Sequence, residues 1–337
     1  MSSVLVTHPA TRLPTYFGDT ALGRLRQISA VRLNPGDDDL SGTALVEAAQ
    51  DCDVIVAYRQ TPFDETVFSA LPGLVAVVRC AVDIRTIDVA AASRHGVLVT
   101  QASPGFMASV SEWVVGAMID LSRHIGESAA LYRAGATPAP RMGRELRGAT
   151  LGVIGFGAIG RYLCRLARAL GMRVRVSDPN VRVDDPEYLQ SDLAELLADA
   201  DYVVCLAPAT AATENLMDER AFSTMRPGAF FINASRGNLV DEAALLRALD
   251  SGHLAGAALD VGRAADQMPS PALARHPRVI ATPHVGGLTP QAIEHQALET
   301  VAQTEAILLG RVPHGAVNAA HALRMKRLLP PREAKRP

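Results

Sequence analysis

The 337-residue sequence predicts an α/β protein with two parallel-sheet domains. Three observations carry that reading. The chain is longer than a typical single domain of about 100 to 200 residues. Short apolar runs alternate with helical stretches along most of its length, the pattern of parallel strands joined by crossover helices. One of those runs leads straight into a glycine-rich turn, GFGAIG at 155–160, which opens a helix.

Taken in order, Ser3 to Thr7, Val54 to Ala57, Leu74 to Val78 and Val97 to Val99 read as strands. Gly42 to Gln50 and Ile87 to Arg94 read as helices between them, which completes a first α/β unit near Ser103. Residues 108–134 read as one long helix, long enough to bridge two lobes. After a Pro/Gly-rich stretch comes a second series of strands: Thr150 to Ile154, Arg173 to Ser177, Tyr202 to Leu206, Ala229 to Asn233, Gly256 to Asp260 and Val279 to Thr282. Six strands with intervening helices is the count of a complete dinucleotide-binding domain. A final helix starts with Thr289 as N-cap and Pro290 at the first helical position, closes at Gly310, and most simply returns the chain to the first unit. The expected division is therefore 1–103 plus 289–322 for one domain, 104–288 for the other, and a basic, solvated tail at 323–337.

Composition excludes several classes. Hydrophobic residues make up 48% of the chain, charged residues 20%, and the formal net charge is −2, so neither disorder nor a nucleic-acid partner is indicated. The N-terminus lacks the basic-then-apolar layout of a signal peptide, and no apolar run approaches the ~18 residues that span a bilayer. A cytoplasmic location is expected. Cys52, Cys80, Cys164 and Cys205 are widely spaced and form no Cys/His cluster, which predicts reduced core thiols and no metal site.

The glycine turn carries the first chemistry. Gly155, Gly157 and Gly160 follow the strand TLGVI, and Leu163, Leu166, Ala167 and Leu170 give the next segment one apolar face. Such glycines permit a tight turn, approach of the backbone to a pyrophosphate, and close packing of helix on strand, while the helix N-terminus favours the anion. Asp178 ends the following strand, 18 residues past the third glycine. An acid there can accept hydrogen bonds from ribose hydroxyls and would repel a 2′-phosphate, so NAD is expected rather than NADP.

Two further strand ends carry reactive side chains: Arg236 in FFINASRGNLVDE and His284 in VIATPHVGG. Ligands of open α/β sheets sit beyond the carboxyl ends of the strands, which puts both on the side of the glycine turn. An arginine can grip a carboxylate in bidentate fashion, and a histidine exchanges protons near neutral pH.

With GFGAIG and Asp178, INASRGNLVDE, GAALDV and TPHVGG in that order, the chain resembles the D-isomer-specific 2-hydroxyacid dehydrogenases over essentially its whole length to Ala319. The resemblance implies two Rossmann-like or flavodoxin-like domains, a split substrate-binding lobe and a central NAD lobe with a cleft between them, in a homodimer. It assigns Gly155, Gly157, Ala158, Ile159 and Gly160 to the pyrophosphate turn and Asp178 to the ribose. It sets Ala234, Ser235, Arg236, Asp260, His284, Gly286 and Gly287 around the nicotinamide. Arg236 would bind the carboxylate and C2 oxygen of a D-2-hydroxy acid or its 2-keto acid, and His284 would exchange the hydroxyl proton. In the first lobe it makes Arg59 a substrate contact and puts Val82 and Asp83 in a loop where the family usually has glycines that hold the substrate carboxylate. Asp83 either pairs locally with Arg85 or reshapes a specificity pocket. Arg59, Arg79 and Arg85 could support a phosphorylated substrate. Ser103, Pro104 and Gly105 match the interlobe hinge.

One departure touches the catalytic machinery. The family glutamate that holds the histidine would fall 29 residues after Arg236, and that position is Ala265. Gly262 also replaces the usual aromatic. Asp266 is the first replacement for the acid; Gln267 could orient the ring without charge; the third reading leaves His284 with no side-chain partner. Besides a dehydrogenase, the sequence is compatible with an NAD(H)-sensing protein of little turnover, or a relative using a non-standard donor such as formate or phosphite.

Overall fold

The computed structural model describes residues 2–328 and, within them, the main chain but not the side chain of Asp266. The chain forms two compact units: one holds the described residues up to Gly105 and from Pro290 onward, the other is Phe106–Thr289.

The first unit is a five-stranded parallel sheet of β1 (Ser3–Val6), β2 (Ala30–Leu33), β3 (Val54–Ala57), β4 (Ala76–Arg79) and β5 (Leu98–Gln101), in the order β2-β1-β3-β4-β5. β1, β3 and β4 are wholly or almost wholly buried, as expected of strands covered on both faces. Helices Asp19–Ile28 and Pro290–Leu308 pack against one apolar cluster, while Gly42–Ala48, Glu65–Ala70 and Val89–Arg94 enclose the other. The expected strand at 74–78 runs instead to Arg79, whose side chain is fully buried. β2 was not expected from sequence: it is an edge strand of four residues, half of them exposed, with no apolar run to announce it.

The second unit is a seven-stranded parallel sheet: β6 (Thr150–Ile154), β7 (Arg173–Ser177), β8 (Tyr188–Gln190), β9 (Tyr202–Cys205), β10 (Phe230–Asn233), β11 (Gly256–Leu259) and β12 (Val279–Ala281). Their order is β12-β11-β10-β9-β6-β7-β8. Strand order reverses between β6 and β9, the switch point at which such sheets bind ligands. The six expected strands are all present, and β8 adds a short edge strand whose three residues carry little apolar signal.

Two expectations need correction. The stretch 108–134 is two helices, Met107–Arg123 and Ile125–Arg133, broken at His124 in the left-handed region (φ 54°). His124 N still makes the last helical bond, to Asp120 O (2.7 Å), and beyond the left-handed residue the Asp120 carboxylate accepts from Gly126 N (2.7 Å), which holds the chain in its new direction. The stretch from 323 is not simply a solvated tail either. Residues Leu323–Leu328 form a 3₁₀ turn, Met325 is buried in the first unit's core, and Arg324 donates to the carbonyls of Leu71 (2.8 Å) and Leu74 (2.9 Å). Carbonyls of the turn that follows the helix Glu65–Ala70 thus hold this cation. The rest of the expected tail, 329–337, lies outside the described residues.

At the end of the first unit Ser103 is anchored to the returning helix: Glu299 accepts from its N (2.7 Å) and Oγ (2.6 Å). Gly105 lies under the His295 ring, where a Cβ would sit 2.3 Å from Cδ2, so no larger residue fits. Among the described residues no helix is long and apolar enough to cross a membrane.

Candidate active site

The glycine turn has a separate reason for each glycine. Gly155 leaves β6 with φ +99°, and a Cβ there would lie 2.8 Å from the Leu206–Ala207 main chain. Gly160 faces back on the turn, where a Cβ would come within 2.3 Å of the Gly155 carbonyl. Gly157 is different: it is exposed, caps the helix Ala158–Ala169, and a Cβ would meet nothing within 4 Å. Two glycines therefore serve packing, and the third keeps the helix entrance open where backbone N–H groups of Ala158 and Ile159 can meet an anion. Asp178, at the end of β7, accepts from Phe156 N (2.8 Å) and Asn180 N (2.9 Å). A carboxylate has about four lone-pair directions, so two remain for ribose hydroxyls. An NAD-type dinucleotide fits this set: an open helix N-terminus for the pyrophosphate and an oriented acid for the ribose.

Arg236, Asp260 and His284 follow three adjacent strands, β10, β11 and β12. Asn233, buried at the end of β10, shapes the Arg236 turn: its Oδ1 accepts from Ser235 N (3.0 Å) and its Nδ2 donates to Arg236 O (3.0 Å). Ser235 Oγ donates to Ala207 O (2.5 Å), and Arg236 Nη1 donates to Ser235 O (2.7 Å). Ala234, Ser235 and Arg236 are half-buried.

His284 has φ +56°, a left-handed conformation that disfavours side chains with a Cβ. Asp260 holds it there. The Asp260 carbonyl accepts from His284 N (3.0 Å), while its buried carboxylate accepts from Thr282 Oγ1 (2.6 Å), Val285 N (2.8 Å) and Gly286 N (2.7 Å). A Cβ on Gly286 would stand 2.8 Å from that carboxylate, and one on Gly287 3.3 Å from the Phe106 Cβ. Asp260 thus organises the histidine loop. Asn233 and Thr282 lie within the INASRGNLVDE and TPHVGG motifs, but neither had a role legible in the sequence.

The segment after β11 follows an unusual path. Gly262 N donates to Gln267 O (2.7 Å) and Ala264 N to Met268 O (3.0 Å), which closes residues 262–268 into a compact loop around a 3₁₀ turn at Ala265–Gln267. A Cβ on Gly262 would lie 2.5 Å from Pro269 Cα, and a Cβ on Gly237 only 2.0 Å from Gly262 C and O. The missing aromatic is therefore a packing requirement of this loop, which lies directly on the turn after Arg236. Ala265, the position at which the resemblance would set the acid, begins this 3₁₀ turn. The side chain of Asp266 lies outside what the structure describes. Gln267 is left-handed (φ 59°), and its Oε1 is buried without a hydrogen bond from any described residue.

In the first unit Arg59 and the 82–85 loop follow β3 and β4. The Arg59 guanidinium lies over the Tyr16 ring (5.4 Å). Arg85 makes a two-pronged contact with Asp83 (Nε to Oδ1 3.0 Å, Nη2 to Oδ2 2.7 Å), so the local pair exists, beside half-buried Val82. Arg79 is unsuited to a ligand: its guanidinium donates to the Tyr58 and Thr61 carbonyls and to Thr86 Oγ1 (2.8 Å) deep in the unit. Sequence reasoning missed His8, which is buried at the end of β1 between Phe17 (5.3 Å) and Tyr58 (5.1 Å). Burial, and then the Arg79 cation, push its pKa down to about 3.

A doubly wound sheet with this glycine turn, an oriented acid after the second strand, and arginine and histidine at neighbouring strand ends defines a dinucleotide-binding oxidoreductase. Residues 115–286 match the family model for the D-isomer specific 2-hydroxyacid dehydrogenase NAD binding domain. The chain belongs to that family. It is 37% identical, over 73% of its length and 82% of the relative's, to (S)-sulfolactate dehydrogenase of Chromohalobacter salexigens. It is 35% identical over 83% of its length to D-3-phosphoglycerate dehydrogenase 3 of Arabidopsis thaliana, of which the match covers 49%. The chain spans about half the length of the phosphoglycerate dehydrogenases it matches. Among solved structures it resembles the TT0316 protein of Thermus thermophilus, with TM-score 0.85, 31% identity, and coverage of 94% of this chain and 99% of that one.

Proposed function

We propose that this chain is an NAD-dependent dehydrogenase that interconverts a D-2-hydroxy acid and its 2-keto acid. The observation that carries the reading is the row Arg236, Asp260, His284 at the ends of three adjacent strands, with Asp260 fixing the histidine loop. Bound NAD would supply the hydride acceptor. Arg236 binds the substrate carboxylate and C2 oxygen through its guanidinium. His284 accepts the hydroxyl proton as the C2 hydride departs and returns it to the carbonyl oxygen in the reverse direction. Asp266 supplies the acid that favours the charged imidazole, one position after the family's usual place. Asp178 selects NAD over NADP by charge.

In the first unit Arg59 and the Val82–Asp83 main chain contact the substrate. The two relatives named above act, by their names, on 2-hydroxy acids with an anionic group at C3, a phosphate or a sulfonate. The sulfur at C3 reverses the priority of the C3 and carboxyl carbons, so an (S)-sulfolactate has the same spatial hand as a D-lactate. Arg79 is committed to main-chain carbonyls and Arg85 to Asp83; Arg59, after β3, is the first-unit arginine that the family resemblance makes a substrate contact, and a C3 anion would meet its guanidinium. The protein works as a homodimer in the cytoplasm; exposed Ile125, Tyr132 and Met142 support an apolar contact with a second copy.

Following NADH oxidation against a panel of 2-keto acids with and without a C3 anion tests this. Turnover is expected, preferring NADH over NADPH by at least about tenfold. NADH binding without consumption of any 2-keto acid would sink the enzyme reading and favour an NAD(H) sensor.

A further inference from the structure

Arg263 lies one residue after Gly262 and three before Asp266, and its side chain is 37% exposed. Its guanidinium is nevertheless unusually well committed. Nε donates to Val240 O (3.0 Å); Nη2 reaches Glu214 Oε1 (2.9 Å), Asn215 Oδ1 (2.6 Å) and Asn238 O (3.0 Å). The main chain joins in, with Arg263 N donating to Glu242 Oε1 (3.0 Å).

The partners are themselves tied together. Asn215 N donates to Asn238 O (2.9 Å), Met217 N to Leu239 O (2.9 Å), Asp241 N to Met217 O (3.0 Å), and Asn238 Nδ2 to Glu214 Oε2 (2.9 Å). Hydrogen bonds from Asn238 and Arg263 hold the Glu214 carboxyl below its ordinary pKa, so it stays an anion facing the guanidinium. All of these groups border the 3₁₀ turn Gly237–Leu239, which begins one residue after Arg236. That is the turn on which the Gly262 main chain rests, too close to Gly237 for any Cβ.

Three of the other described side chains of the loop offer it no polar anchor. Ala264 and Ala265 are too short to reach across, and Met268 is exposed. An aromatic at position 262 is excluded by Pro269. A planar cation with several donors in a fixed fork is the kind of group that can register two backbone segments at once.

We propose that Arg263 is a positioning residue for the proposed reaction: it staples loop 262–269, the main chain that carries Asp266, onto the turn that follows Arg236. Arg263 touches neither substrate nor cofactor. It takes over the anchoring of this loop, and the acid and the substrate-binding arginine are thereby held in one register. The inference rests on the proposed function for its catalytic part and on geometry alone for its structural part.

The test compares wild type with Arg263→Met and Arg263→Lys by amide hydrogen exchange and by steady-state kinetics on the full chain. In Arg263→Met, exchange at 262–269 should rise at least about tenfold while amides of β6 and β9 keep their wild-type rates. Turnover should fall about 10- to 100-fold, as for other residues that orient a reacting group, with the KM for NADH unchanged. The alkaline limb of the reduction profile should move to lower pH, because an acid held less firmly supports a less basic histidine. Arg263→Lys should lie between the two, since an ammonium can satisfy part of the network. Unchanged loop exchange, or unchanged turnover and pH profile with the loop loosened, would overturn the proposal. A wild type with no turnover on any 2-keto acid would instead refute the proposed function, and loop exchange would still decide whether Arg263 is the staple.

Discussion

At the scale of single residues, His8 shows how burial, with a buried cation nearby, sets protonation. Neither ring nitrogen has a partner at full hydrogen-bonding geometry among the described residues, and the fully buried Arg79 stands nearby, so the charged imidazole is strongly disfavoured. The Tyr16 main chain offsets this only in part. The folded pKa of His8, about 3, lies below its ordinary 6.5, and the unfolded chain therefore binds the extra proton between those values. The neutral form's contribution is complete above about pH 6.5 and is lost progressively as pH falls towards 3, on the order of 5 kcal/mol in all. Urea unfolding of the first unit at pH 7 and pH 4 should show that loss, and His8→Leu should flatten it; an equal pH dependence in the variant would refute the assignment. His8 was invisible in the sequence because nothing near it in the chain signals burial. The glycine turn at Gly155, Gly157 and Gly160 and the acid Asp178 could be read as candidates from one strand–turn–helix–strand spacing, and Arg236 and His284 from their places at the ends of apolar runs. The roles of Asn233, Thr282 and Arg263 could not be read, because each depends on a partner fixed only by the folded turns: the Arg236 carbonyl for Asn233, the Asp260 carboxylate for Thr282, and groups 23 or more residues away for the Arg263 guanidinium.

At the scale of elements, buried strands were readable and edges were not. β6, β9 and β10 are continuous apolar runs buried on both faces, while β2 and β8 are short edges whose pairing depends on neighbours. The break at His124 has no sequence signal for a similar reason: the apolar periodicity continues through it, and the left-handed turn is marked only by the Asp120 carboxylate accepting from Gly126 N. In the proposed mechanism the loop 262–269 is the element that carries the acid. Its shape explains Gly262, since the chain doubles back at Pro269. Asp266→Ala tests its role: turnover should fall about 10- to 100-fold, and the alkaline limb of the reduction profile should move to lower pH, as removal of an acid lowers the histidine's pKa. An unchanged pH profile would remove Asp266 from the mechanism and return attention to Gln267, whose Oε1 is buried without a hydrogen bond from any described residue.

At the scale of the molecule, two α/β units divide the work. The second presents the dinucleotide turn and the arginine–histidine pair along the carboxyl ends of one sheet; the first presents Arg59 and the 82–85 loop at the carboxyl ends of another. Family membership follows from the match across 115–286 and from relatives covered over most of their length. Substrate choice is the part that fold cannot dictate. The account stands or falls on His284 as the proton-exchanging group. The most direct measurement is single-turnover oxidation of NADH with an accepted 2-keto acid, wild type against His284→Gln, alongside NADH binding by fluorescence. The account predicts a rate loss of about 10²- to 10⁴-fold with NADH affinity retained; a variant that turns over at the wild-type rate would contradict it.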